Sequence, residues 1–193
     1  MARNTKEGTE ATRLALIAAA RQLFVERGYA ETATPDIVSA AGVTRGALYH
    51  HFADKRALFR AVVQHEAAAV AAEIDTSSSP AATPRDALLS GAAAYFSAMA
   101  VEGRARVMLL EAPAVLGVEG MAEIERGNAE GRLLEGVSDY LGATAPDDEK
   151  RALTNLISVA FDRAVLEIER GGDRAVYEGA IARLIDGLIP RSR

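Results

Sequence analysis

The stretch Thr34–Lys55, TPDIVSAAGVTRGALYHHFADK, limits the fold more than any other part of this 193-residue chain. Two short apolar patterns of helical period meet there at a glycine. Thr34 can cap a first helix, with Pro35 at its first position and Asp36 beside the positive end of the helix dipole. Ile37, Val38 and Ala41 supply its apolar face. Gly42 ends it, because the left-handed backbone of a helix stop costs least in a residue without Cβ. Val43 fills the turn, Thr44 can cap a second helix, and Leu48 and Phe52 face back toward the first. Arg45, Gly46, Ala47, Tyr49 and His50 remain outward. Two helices of this length joined by a three- or four-residue turn make a helix-turn-helix, whose second helix fits a DNA major groove.

The rest of the chain also reads as helix after helix, with no period-two strand. A first helix is expected over about residues 10–27, with a stripe of Leu14, Ile17, Ala18 and Phe24 and a stop at Gly28. Asp54 caps a fourth, running to about Ile74. TSSSPAATP, residues 76–84, has linker composition and marks the expected seam between two parts. A fifth helix opens at Pro84 or Arg85, and a sixth spans Arg104 to Ala112 and is stopped by Pro113. After the loop PAVLGVEG a seventh covers about Met121 to Leu141, weakened by Gly127, Gly131 and Gly136. An eighth covers Asp147 to Arg170. Gly171-Gly172 breaks it, and a ninth is capped by Asp173 and ends at Ile189-Pro190. The last two should pack as an antiparallel hairpin.

Composition narrows the function. The chain has no cysteine, which removes disulfide frameworks and cysteine-based zinc sites and fits a reducing cytoplasm. The polar N-terminus is unlike a signal peptide, and no run approaches the ~18 apolar residues of a membrane span, so a cytoplasmic protein with no membrane partner is expected. Net charge is −5, which argues against a polyanion partner until its distribution is read. Residues 1–60 carry nine Lys/Arg against six Asp/Glu, so the basic excess sits around the helix-turn-helix and the remainder is acidic. His50, His51 and His65 lack metal-ligand spacing, and no nucleophile elbow, P-loop or dinucleotide fingerprint is present. No metal, no cofactor and no catalytic residue is expected.

The residues VTRGALYHHFADKRALF, Val43 to Phe59, with LFVERGYAETAT (Leu23 to Thr34) before them, closely resemble the DNA-binding signature of the TetR family of bacterial transcriptional repressors. The resemblance covers roughly the first 70 residues; beyond them only helical organisation matches. It implies an all-α protein of about nine helices. An N-terminal three-helix DNA-binding domain would occupy residues 10–70, with the motif at about 33–52, and a helical ligand-binding and dimerisation domain residues 75–193. It also implies double-stranded operator DNA, a second copy of the chain and an unidentified small-molecule inducer as partners. A repressor released by an apolar or amphipathic ligand is the expected function. An activator, a ligand-independent DNA-binding protein, and a helical enzyme or carrier are the alternatives.

Chemistry assigns roles within the recognition segment. Arg45 can donate two hydrogen bonds to guanine O6 and N7. Thr44 can bond a phosphate or base edge, or cap its helix. Gly46 and Ala47 allow close approach to the groove floor, and Tyr49 and His50 are placed for phosphates. By resemblance Thr34 and Lys55 bind phosphate as well. Tyr95, Phe96, Met99, Met108, Leu109, Met121 and Phe161 could line the inducer pocket or simply be core. Leu156, Ala160, Tyr177, Ile181, Leu184 and Leu188 could form the dimer seam or the core of a single chain. Asp162 and Arg163 are the charged residues expected to be enclosed, at the seam or near a ligand.

Overall fold

The computed structural model describes residues 6–77, 81–125 and 130–188, and among them every regular element is helical. The centre of the expected linker (78–80), Gly127 and Ile189-Pro190 lie outside the described residues. The elements are α1 (Lys6–Glu31), α2 (Thr34–Ala40), α3 (Arg45–His51), α4 (Lys55–Ser77), α5 (Pro84–Met99), a π-helical turn (Arg106–Glu111), α6 (Ala112–Glu125), α7 (Glu130–Leu141), α8 (Asp147–Glu169) and α9 (Arg174–Asp186). They form two compact units. One takes the chain through Glu66 together with Arg106–Met121, and the other Ala67–Ala105 together with the chain from Ala122 on. The division therefore falls inside α4, not in the linker-like segment.

In the first unit α1 buries Leu16, Ile17, Ala20, Leu23 and Phe24. Leu14 and Ala18, expected on the apolar stripe, are exposed, because Leu16 and Leu23 set the inward face instead. Phe24 meets Phe59 edge-on at 5.0 Å, and Ile37, Leu48 and Phe52 bring α2 and α3 into the same core. A fully buried side chain of this size contributes about 1.5–3 kcal/mol. The helical course of α1 breaks at Gly28 (φ +82°, ψ 164°), as expected, in a backbone region almost reserved for glycine. Beyond the break the Thr32 hydroxyl donates to the carbonyls of Gly28 (2.7 Å) and Leu23 (3.2 Å).

Residues 106–121 belong to this unit although they lie far off in sequence. Glu111 accepts from the Tyr29 N–H at 3.0 Å and pairs with Arg106, which also donates to the Val25 carbonyl. Arg56 donates to the carbonyls of Val115 and Leu116, each at 3.0 Å. The stop expected at Pro113 does not occur: the chain passes through a π turn into α6, and PAVLGVEG is helical apart from a break at Gly117. Proline stops helices by lacking an N–H and crowding the carbonyl four residues back. That carbonyl, of Leu109, sits in the wider turn, where carbonyls aim five residues on.

In the second unit α7 packs on α5 and α8, and α9 on α5 and α8. Thr83 caps α5 by accepting from the Asp86 N–H at 3.1 Å, while the Asp86 carboxylate accepts from the Thr83 hydroxyl at 2.7 Å. Leu88, Phe96, Val137, Ile157, Phe161, Val165, Ile181 and Ile185 are buried. Gly136 permits the α5–α7 approach, since a Cβ there would lie 2.8 Å from a Leu88 methyl. Of the segment expected as one helix from Met121 to Leu141, the described residues are helical on both sides of 126–129, at the end of α6 and throughout α7.

Candidate nucleic-acid interface

The turn between α2 and α3 is fixed by its backbone. Gly42 (φ +65°) lets the Gly42 N–H reach the Ser39 carbonyl and the Val43 N–H the Val38 carbonyl, each at 3.2 Å. This is the paired closure that satisfies the last carbonyls of a helix. Thr44 then caps α3, its hydroxyl accepting from the Ala47 N–H at 3.2 Å. Leu48 is fully buried and Phe52 nearly so, so α3 is held from beneath and its outer face is presented rigidly.

Thr34 does not cap α2. Ala33 holds that position with an extended backbone and no side-chain partner, which makes Thr34 the first helical residue. Its hydroxyl is thereby available to Tyr49. A hydrogen bond from Thr34, and secondarily one from Arg45, holds the Tyr49 phenol below its ordinary pKa. The Arg45 guanidinium also lies over the Tyr49 ring at 5.5 Å from its centre. Arg45 and Tyr49 therefore form an exposed pair, with Thr34 half-buried. Arg45, Gly46 and His50 are exposed and Ala47 half-buried. A Cβ at Gly46 would meet only the Thr44 hydroxyl, at 3.9 Å, so the fold itself does not demand a glycine there.

Lys55 is engaged within the chain itself. Its ammonium donates to the carbonyls of Tyr29 (2.8 Å), Thr32 (3.0 Å) and Ala30 (3.4 Å) and lies 4.3 Å from the centre of the Tyr29 ring. An ammonium has three N–H donors. All three meet carbonyls of the short segment that follows the break at Gly28. In the free chain Lys55 thus clamps the segment that follows Gly28 to the start of α4. An ion pair that the sequence reading missed, Arg27 to Asp36 at 3.2 Å, joins α1 to the start of α2. His51 is half-buried, 6.2 Å from the Phe52 ring, and no cluster of potential metal ligands occurs among the described residues.

Of the residues expected to line a pocket, Tyr95, Phe96, Met99 and Phe161 lie in the second unit, whereas Met108, Leu109 and Met121 belong to the first. The structure brings Tyr95, Phe96 and Phe161 together, with ring centres 5.9–6.2 Å apart. Phe96, Met99 and Phe161 are buried and Tyr95 half-buried. The Tyr95 hydroxyl donates to Asp162 at 2.6 Å, while Arg163, expected to be enclosed, is exposed and pairs with Glu167.

The expected dimer residues divide in the same way. Ile181 is 4 % exposed in the single chain and belongs to its core, because it faces inward alongside Ile185. Ala160, Tyr177 and Leu188 are half-buried. Leu156 (68 %) and Leu184 (55 %) are exposed, and Val159 and Val176 are exposed beside them in sequence.

Residues 16–62 match the family model described as bacterial regulatory proteins, tetR family. TtgR, a helix-turn-helix transcriptional regulator of Pseudomonas putida, is 37 % identical over 111 residues, covering 55 % of this chain and 51 % of TtgR. The chain thus spans about half the length of that curated relative. A TetR-family regulator of Pectobacterium atrosepticum is 30 % identical, with 96 % of this chain and 95 % of that chain covered and a TM-score of 0.63. FadR of Bacillus subtilis, solved in complex with stearoyl-CoA, shares the fold at 18 % identity, 89 % and 96 % coverage and a TM-score of 0.74.

Proposed function

The chain belongs to the TetR family of bacterial regulatory proteins, and on that premise we propose that it is a homodimeric, DNA-binding transcriptional repressor released from its operator by a small apolar or amphipathic ligand. The observation that carries the reading is the exposed pair of Arg45 and Tyr49, the guanidinium over the ring, on a helix set by a turn that paired backbone hydrogen bonds close. Arg45 reads a guanine in the major groove. Tyr49, Thr34 and His50 set the register on phosphates, with the Thr44-capped N-terminus of α3 adding N–H donors. Gly46 and Ala47 let the helix approach the bases, which is the reason for a glycine that the fold does not require.

One recognition helix offers few base contacts. Two copies related by a two-fold axis read two half-sites about 34 Å apart, or a multiple of that. Leu156, Val159, Val176 and Leu184 are the apolar surface on which a second copy would close. Ligand release follows from linkage: a ligand that favours a dimer unsuited to the operator weakens DNA binding by the factor by which DNA weakens ligand binding. FadR, which shares this fold, was solved in complex with stearoyl-CoA, which supports a small-molecule ligand for this chain. The reading is of a binding protein, non-enzymatic and cytoplasmic, and no helix among the described residues is long and apolar enough to cross a membrane.

The test is fluorescence anisotropy of the protein on DNA from upstream of its own gene, beside a scrambled duplex, at several salt concentrations. Tighter binding to the upstream DNA, with a half-site repeat in the footprint, is expected. Equal binding to both duplexes would remove the operator from the reading.

A further inference from the structure

In the second unit, half-buried bands of α5 and α8 run beside one another and meet at the hydrogen bond between Tyr95 and Asp162. On α5 the band is Gly91 and, one turn on, Tyr95. On α8 it is Ser158, Asp162 and Leu166, also one turn apart. Phe161 and Phe96 close the cluster from beneath, their rings 5.9 Å apart, with Phe161 6.1 Å from Tyr95. Gly91 is half-buried, yet a Cβ built on it would meet no atom of another element within 4 Å. Among the described residues there is thus open space over Gly91, one turn before Tyr95 on α5.

Asp162 is the unusual member. It accepts a hydrogen bond from a neutral phenol, and among the described residues it makes no ion pair. Burial is the dominant influence on its carboxyl, raising its pKa, and only the Tyr95 bond opposes that. A carboxylate in such surroundings is stabilised by a cation brought to it, and the neighbouring ring faces attract the same charge.

We infer that this protein's ligand is an aryl-bearing organic cation, whose protonated nitrogen meets Asp162 and whose ring lies along Tyr95 in the space over Gly91. This inference rests on the ligand-released reading above and names the class of ligand. Anionic amphiphiles are excluded by the same charge, and neutral ones forgo the charge-assisted hydrogen bond.

Calorimetric titration of the full chain with three probes of one shape tests it: naphthylethylamine, naphthylethanol and naphthylacetate. The amine should bind at least about tenfold tighter than the alcohol, a difference of about 1.4 kcal/mol, and the carboxylate weakest. Asp162→Asn keeps the shape and the Tyr95 contact but removes the charge, and should bring the amine to the affinity of the alcohol. Gly91→Leu fills the open space with a better helix former, and should weaken amine and alcohol alike in a protein that melts no lower. Equal binding of amine and alcohol, or an amine indifferent to both substitutions, would overturn the inference. The ligand-released reading fails separately. An amine that binds through Asp162 but leaves operator affinity unchanged would sink release by this ligand while leaving its class in place. A protein released by a neutral or anionic compound would do the reverse.

Discussion

Arg45 and Lys55 carry the same charge in different surroundings. Arg45 is exposed, supported by the Tyr49 ring and Thr34 behind it, and faces away from the core. Arg45→Ala should cost about 1–3 kcal/mol on operator DNA and relax preference at one base pair per half-site. A loss of the same factor on specific and non-specific duplexes would make it a phosphate contact. Lys55 is tied to three carbonyls of the segment that follows Gly28. Lys55→Ala should therefore lower stability by about 1–2 kcal/mol, the half-exposed position keeping the loss below that of a buried charged bond. The slope of log affinity against log salt should stay that of the unmodified protein, and a shallower slope would return Lys55 to the DNA. Asp162 gives a pH signature. Its raised pKa means that the folded chain holds this proton more tightly than the unfolded chain does. Stability from this group is then fully present below the ordinary carboxyl range, under about pH 4, and is lost as pH rises through the raised value. The melting temperature of Asp162→Asn relative to the parent should rise from acid toward neutral pH.

At the scale of elements, the helix-turn-helix was legible because its signals are local. Gly42 stops a helix by its own backbone, Thr44 caps by its own hydroxyl, and Leu48 repeats at helical spacing. The cap lies one residue before Thr34, since Ala33 has only a methyl group and nothing polar to announce it. The passage from Arg106 to Glu125 was not legible. Pro113 signals a stop, and only the wider turn before it, which periodicity does not encode, removes the clash. Long-range partners were equally hidden: nothing near Glu111 reveals that it accepts from the Tyr29 N–H, 82 positions away. Gly28 sits where these contacts converge. A Cβ there would lie 2.7 Å from Arg106 Nη2, on a backbone that other residues avoid. Gly28→Ala should cost about 1–3 kcal/mol in thermal or urea unfolding, and an unchanged midpoint would mean that the chain relaxes freely at this break.

For the whole molecule, the basic excess and the apolar surface of the last two helices lie in different parts of the sequence. The basic excess lies in the first 60 residues, and Leu156, Val159, Val176 and Leu184 are exposed on α8 and α9. Periodicity could not divide α9 between its own core and a partner, because Ile181, Leu184, Ile185 and Leu188 all satisfy a helical pattern. Only packing separates the buried isoleucines from the exposed leucine. Leu156→Glu with Leu184→Glu should keep the helical signal, since neither side chain is buried in the single chain, and should yield a monomer by sedimentation. Burying four carboxylates in a symmetric contact is prohibitive without partners. A persistent dimer would place the contact elsewhere.

The discontinuous first unit bears on how such a protein can be recombined. A chimaera that joins this reader to another chain's sensor near residue 70 would leave residues 106–121 behind. Tyr29 would lose its carboxylate and Arg56 its two carbonyls, while a foreign segment took their place. The transferable module is two pieces of sequence, and a graft has to carry both to move the reader intact.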